Sequence, residues 1–332
     1  MTKTVKDGEN AASTANTANT ASTTSAAKSA DLGSAQGNQK TDLRLTIPKG
    51  RIQEKVMALL SQIGMNFLTD GRSYSPICSD PHVITKLLKS QNIPSLVALG
   101  RHDCGFSGYD WTIEQDAEVV ELLDLQFDPV RIVAAMPEDL LAGGDFRTMN
   151  FGRKLIVASE YRNLAKRFIE KNKLDAIFLQ TFGATEALPP EDADIIVDNT
   201  STGTTLKHNR LVIVEEIMRS TTRFICNPKA LEDPIKRRML EEMTMLMKST
   251  LLAKQKVMLE MNVSREDFER VVSKLPCMRA PTISELYNGD GYAIKIAVPT
   301  KEVPDLIPKL VALGARDILE YKVEKIVAGY DK

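Results

Sequence analysis

Residues 193–208 read ADIIVDNTSTGTTLKH. The apolar run before Asp198 is short and β-branched, which marks a buried strand. Six residues dominated by hydroxyls, with one glycine, follow it. The spacing then predicts a helix over about 206–219. Strand, polar turn and helix form the repeating unit of an α/β layer protein. The turn has its own chemistry. Asp198, at the strand end, is placed to accept hydrogen bonds from sugar hydroxyls. Gly203 lets the backbone bend and approach a ligand. Ser201, Thr202, Thr204 and Thr205 add hydroxyl donors, and amides at a helix start favour an anion. The set suits a phosphate monoester carried on a ribose. A second reading is a threonine-rich N-cap that only starts a helix; one hydroxyl would serve that purpose, and five are present. GxxxxGK[ST] is absent, so this is not a Walker loop.

The alternation extends outward. LRLTIP (43–48) reads as a strand that runs through Lys49 and Arg51 into a helix stopped by Gly64. PHVITKLLKSQ (81–91) reads as a helix and PSLVALG (94–100) as a strand, followed by a loop holding Gly105 and Gly108. VVELLDL, VRIVAAMP (130–137), GRKLIVASEY (152–161), DAIFLQTFG (175–183) and TRFICN (222–227) read as strands, with RNLAKRFIEKN as a helix. Two such blocks predict two α/β lobes of mostly parallel sheet around a cleft. Ligands of such sheets bind at the carboxyl ends of the strands. Lys49, Arg51, the Gly105–Gly108 loop and the 199–205 turn would meet there.

Beyond a long helix over 229–255 the pattern is β-α-β-β-α-β, a ferredoxin-like arrangement. KVMLEMNV (256–263) is a strand, and 264–275 a helix with Ser264 as N-cap. APTISELY and YAIKIAVP form a hairpin around NGDG (288–291). A helix over 301–314 and a strand over 316–327 complete the unit. The expected organisation is a tail over 1–40, one lobe from 41–132 with 220–250, a second lobe over 133–219, and the C-terminal module over 251–332.

Composition removes several classes. The 332 residues carry 43 Lys+Arg against 44 Asp+Glu, a net charge of −1, which does not suggest a general nucleic-acid binder. Four scattered cysteines and three histidines show no zinc spacing. No apolar run is long enough for a membrane span. Residues 1–40 are Ala, Ser, Thr, Asn and Gly-rich without aromatics, and are expected to be disordered. They lack a secretion-type apolar stretch and carry acids but no arginine, which points to a cytoplasmic protein, with a plastid location as the alternative.

Six segments in order then carry a resemblance over 43–328: IPKGRI (47–52), GRSY (71–74), DCGFSGYD (103–110), FGATEALP (182–189), ADIIVDNTSTGTTL (193–206) and LVALGARDILEYKVEKIV (310–327). Together they resemble long-form ATP phosphoribosyltransferase, which opens histidine biosynthesis. The resemblance implies a two-lobed, periplasmic-binding-protein-like catalytic region and a ferredoxin-like regulatory domain. It implies attack of ATP N1 on C1 of phosphoribosyl diphosphate, with Mg2+ held mainly through the substrate and no protein nucleophile.

By the same resemblance, Glu186, Asp198 and the 201–205 turn would hold phosphoribosyl diphosphate. Lys49, Arg51, Arg72, Gly105 and Gly108 would face ATP or the diphosphate. Asn262, Thr282 and Asp317 would meet inhibitory histidine, in a dimer or hexamer. The bland alternatives stay open at this level. Arg51 and Arg72 also read as surface charges, Glu186 as a cap, and Asp103 and Asp110 as caps of neighbouring elements. Another phosphoribosyltransferase, a two-lobed solute-binding protein and a regulatory sensor are the rival functions.

Overall fold

The computed structural model describes residues 42–69, 73–141, 144–276, 280–287 and 289–327. The expected disordered tail lies outside them. The first half runs β1 (Leu43–Lys49), α1 (Gln53–Gln62), β2 (Phe67–Leu68), β3 (Ile77–Cys78), β4 (Val83–Lys89), α2 (Ile93–Ala98), β5 (Cys104–Gly108), α3 (Tyr109–Glu114) and β6 (Val120–Asp124). It continues with β7 (Val130–Pro137), α4 (Glu138–Leu141), β8 (Leu155–Ser159), α5 (Arg162–Lys171), β9 (Ala176–Gln180), β10 (Ile195–Thr200), α6 (Thr204–His208), β11 (Leu211–Ser220) and β12 (Thr222–Cys226). The remainder is α7 (Pro234–Ala253), β13 (Lys256–Ser264), α8 (Phe268–Val272), β14 (Thr282–Glu285), β15 (Gly291–Pro299), α9 (Val303–Ala312) and β16 (Ala315–Lys322).

Two five-stranded sheets share one plan. Sheet I has the order β4-β1-β5-β12-β6, and sheet II reads β9-β8-β10-β7-β11. In each, four strands run the same way and the fourth in order is inserted antiparallel to them. That inserted strand follows a crossing: the chain passes from β6 to β7 and returns from β11 to β12. This is the two-lobed, periplasmic-binding-protein-like architecture. The sheets are mixed rather than mostly parallel, because each crossing sends a strand back against its neighbours.

Both faces of sheet II are covered, which explains the unbroken apolar run at its centre. Ile195 and Val197 enter one core with Leu164 and Phe168, while Ile196 enters another with Val133 and Leu206. Sheet I packs Leu45, Phe106 and Phe224 against Leu59 of α1 and Leu240, Met243 and Met247 of α7. The C-terminal four-stranded sheet has the order β14-β15-β13-β16, and its central strand β13 alternates strictly. Val257, Leu259, Met261 and Val263 point to the helix side, where Leu306 and Leu310 of α9 meet them.

Several expected elements differ. The 81–91 helix is strand β4 and the 94–100 strand is helix α2. Val83, Thr85 and Leu87 are buried and alternate with exposed residues, and β4 pairs in register with β1 from Leu43↔Val83 onward. Pro94 then stands in the first turn of α2, where its missing N–H costs nothing. The expected 206–219 helix is only α6; Arg210 adopts a positive φ of 54° and the chain turns into β11, whose branched residues pair with β7. Gly105 and Gly108 lie in strand β5, not in a loop. A side chain at Gly105 would collide with Thr46 Oγ1, so glycine serves close strand packing there. The 264–275 helix shrinks to α8: Asp267 is its N-cap residue, and Ser264 Oγ accepts the Asp267 N–H at 3.2 Å. The last strand ends at Lys322 rather than 327.

Candidate active site

The two lobes enclose adjoining cavities at the ends of their strands. The larger, about 360 Å³, is lined from lobe I by Lys49, Arg51, Lys89, Gln91, Gly108, Asp110 and Trp111, and from lobe II by Glu160, Tyr161 and Asn199. The smaller, about 220 Å³, is lined by Arg51, Glu186, Asp198, Asn199, Ser201, Thr202, Thr204 and Thr205. Arg51 and Asn199 line both and form their common wall.

The smaller cavity is the 198–205 turn itself. Gly203 has φ 77°, a conformation that an L side chain takes only with strain. Its N–H donates to Thr200 Oγ1 at 3.0 Å, and the Thr202 and Thr204 hydroxyls share a hydrogen bond of 2.8 Å. Threonine oxygens thus stand where an anion's oxygens would be received. Asp198 accepts the Asn199 N–H at 2.7 Å. Loss of surrounding water pushes its pKa up to about 6, with the charges of Glu186 and Glu160 adding to the rise against that hydrogen bond. Of the residues singled out in the sequence, Glu186, Asp198, Ser201, Thr202, Thr204 and Thr205 all line this one cavity.

Lobe I supplies the cations. Lys49, the last residue of β1, holds its ammonium 4.2 Å from the Tyr74 ring centroid. Arg51 pairs with Asp128 at 2.5 Å, and Asp128, in the first crossing segment, has a positive φ of 51°. Gly108 lines the larger cavity; Gly105 is buried away from both. Arg72 lies outside the described residues. In the C-terminal sheet, Asn262 Nδ2 donates to Asp317 Oδ2 at 3.0 Å. Thr282 lies apart from this pair on the edge strand, opposite Lys295 rather than Asn262.

The structure adds residues that sequence reasoning missed or left as caps. Asp110, buried, accepts from Tyr161 OH at 2.8 Å and from Ser220 Oγ at 2.5 Å. Asn199 Nδ2 donates to the same Tyr161 oxygen at 3.3 Å. Burial, then the neighbouring Asp110 carboxylate, holds the Tyr161 phenol well above its ordinary pKa. Gln91 Nε2 reaches across the cleft to Glu160 Oε2 at 2.9 Å. Glu114, which sequence reasoning did not single out, caps α5 from the other lobe, accepting the Leu164 N–H at 2.9 Å. The DCGFSGYD segment did signal its two carboxylates; their partners are far away in sequence and gave no local sign.

The family model for ATP phosphoribosyltransferase matches residues 89–249, and the model for the C-terminal domain of the same family matches 253–325. The ATP phosphoribosyltransferase of Thermodesulfovibrio yellowstonii is 38% identical over 290 residues, covering 86% of this chain and 98% of its own. The chain belongs to the ATP phosphoribosyltransferase family. The enzyme of the same name from Desulforudis audaxviator is also 38% identical over 290 residues, covering 86% of this chain and 99% of its own. A chain of the ATP phosphoribosyl transferase (HisG:HisZ) complex from Thermotoga maritima superposes with a TM-score of 0.54 at 27% identity, over 62% of this chain and 98% of that one. With its own C-terminal domain, this is the long form of the family. The enzyme transfers the 5-phosphoribosyl group from phosphoribosyl diphosphate to ATP, the first step of histidine biosynthesis.

Proposed function

We propose that the two cavities divide the substrates. Phosphoribosyl diphosphate takes the smaller and the adenine of ATP the larger. The observation that carries this reading is the common wall: a base on one side of Asn199 and a ribose on the other bring N1 and C1 together. The 5-phosphate enters the 201–205 turn and displaces the threonine oxygens from the bend amides. Asp198 accepts hydrogen bonds from the ribose diol. As N1 bonds to C1, the C1–O bond to diphosphate breaks, and Lys49 and Arg51 offset the charge that leaves. Positioning and electrostatics then account for catalysis without a covalent intermediate.

Magnesium, when bound, neutralises the diphosphate. Among the described residues no group of three or more His, Cys, Asp or Glu side chains is placed to hold a metal. That donor set fits an ion held mainly through the substrate, with Glu186 and Asp198 the carboxylates lining the cavity. The same reading gives the C-terminal module a regulatory role, with histidine as inhibitor at Asn262, Asp317 and Thr282. Because Thr282 is apart from the other two within one protomer, the site is completed by assembly into dimers or hexamers. The buried clusters, two around sheet I, two around sheet II and one under the C-terminal sheet, support the division into 41–132 with 220–250, 133–219 and 251–332. Among the described residues no helix is long and apolar enough to cross a membrane; a cytoplasmic location belongs to the reading, with the plastid as its alternative.

The test is selective. Thr205→Val is expected to raise KM for phosphoribosyl diphosphate at least about tenfold and leave KM for ATP within about twofold, the loss of one hydrogen bond to a charged group. The reverse pattern would exchange the two cavities. Millimolar histidine is expected to slow turnover; a flat titration would remove the regulatory assignment.

A further inference from the structure

Asp110 is a buried carboxylate with no cationic partner among the described residues. Its side chain is 4% exposed, and it lines the larger cavity. Among the described residues no lysine or arginine pairs with it; its donors are the neutral hydroxyls of Tyr161 and Ser220. Taking a carboxylate out of water costs several kcal/mol unless charge or several donors compensate. Asp103, seven residues earlier, has compensation from Arg44 at 2.8 Å and Lys236 at 2.9 Å. Among the described residues Asp110 has only its two hydroxyl donors, and each of its oxygens keeps a further lone pair.

The surroundings are shaped for a flat base. Trp111, next in the chain, stacks on Tyr161 with ring centroids 4.5 Å apart, and both rings line the same cavity. Gly108 explains itself here. A Cβ at that position would collide with Asp110 Oδ1, so glycine is what allows the carboxylate to fold back over the strand end.

Resting on the proposed division of substrates, we propose that Asp110 accepts a hydrogen bond from the 6-amino group of adenine and selects ATP among nucleoside triphosphates. The same contact serves the chemistry. When N1 forms its bond to C1, the C1–O electron pair leaves with diphosphate and one positive charge spreads over N1, C6 and N6. The protons stay on N6, and the Asp110 charge beside them stabilises that cation more than the neutral base before reaction.

Trp111 is the only tryptophan in the chain and reports on this cavity directly. The full-length protein is titrated with ATP and with purine riboside triphosphate, which lacks the 6-amino group, and Trp111 emission is followed. The wild type is expected to bind ATP at least about 30-fold more tightly, since a site built for a donor rejects an analogue lacking it. In Asp110→Ala that ratio is expected to fall below about threefold. Asp110→Asn keeps an acceptor and loses the charge, so kcat is expected to drop about 30-fold with KM for ATP little changed. An unaltered ratio in Asp110→Ala, or an intact kcat in Asp110→Asn, overturns the proposal; if the alanine variant does not fold, the asparagine variant decides alone. Asp198→Ala titrated with phosphoribosyl diphosphate separates the two levels. Retained donor binding in Asp198→Ala together with a Trp111 signal that ignores ATP defeats the division of substrates, whereas lost donor binding in Asp198→Ala with an unaltered nucleotide ratio in Asp110→Ala defeats only the role of Asp110.

Discussion

The two lobes are built on one strand plan and face the cleft with different chemistry. Lobe I presents Lys49, Arg51 and Lys89 together with Asp110 and Asp128, while lobe II presents Glu160, Glu186, Asp198 and a row of hydroxyls with no lysine or arginine on these two walls. A sheet order fixes where loops open, and leaves what they carry to a handful of residues. Burial in lobe II, with the charges of Glu186 and Glu160 adding to it, raises the pKa of Asp198; lobe I ties up Arg51 with Asp128. In the proposed reading, one side grips sugar and monoester, and the other meets the departing diphosphate.

The contrast can be broken most severely from lobe II. Asp198→Ala is expected to cut turnover at least about 1,000-fold while the chain still folds, because the ribose loses the group that fixes it. Near-normal turnover would make the acidic face incidental. From lobe I, Arg51→Ala is expected to cost about 100-fold in kcat/KM, the scale of losing one charged donor at a developing anion. A loss below about threefold would leave Arg51 as a surface charge paired with the crossing segment.

A control sharpens the distinction between site and scaffold. Asp103 is buried between Arg44 and Lys236 and touches neither cavity. Asp103→Ala is expected to lower stability by about 3 kcal/mol, by stranding Lys236. The folded fraction is expected to keep its kcat. The ion pairs and hydrogen bonds hold the Asp103 carboxyl below its usual pKa despite burial. Its contribution is therefore complete above the unfolded carboxyl range and lost as pH falls through the lowered value.

The smallest effect tests the strain inside lobe II. The Asp198 pKa is raised to about 6, so ionisation disfavours the folded state and stability is lost as pH climbs through that value. Asp198→Asn is expected to raise the melting midpoint by roughly 2 °C at pH 8 and to leave it unchanged at pH 4. In the wild type, kcat/KM for phosphoribosyl diphosphate is expected to fall below about pH 6 as the diol's acceptor protonates. A flat profile there would detach the carboxylate from substrate binding.

Legibility followed the range of the determining interactions. The 193–205 segment, the α5 helix and the C-terminal β-α-β-β-α-β unit could be read because apolar spacing, hydroxyls and turn residues are local. The exchange of β4 and α2 could not, because VITKLLK fits helical spacing as well as alternation until β1 lies beside it. Strand β11 was hidden in the same way: LVIVEEIM suits a helix face, and only pairing with β7 settles it. At the site, the turn was visible as a cluster. The Asp110–Tyr161–Asn199 group was not, since its members stand 51 and 38 residues apart and meet only when the lobes do.

Helix α7 plants Leu240, Met243 and Met247 in the core of sheet I, and none of its residues joins the cores of sheet II. The C-terminal module is thus bolted to one jaw of the cleft. Any assembly formed through that module anchors the cationic jaw in the particle. The jaw bearing the 198–205 turn is joined to it by the two crossing segments, so in the proposed reading a closing stroke in such a particle belongs to lobe II.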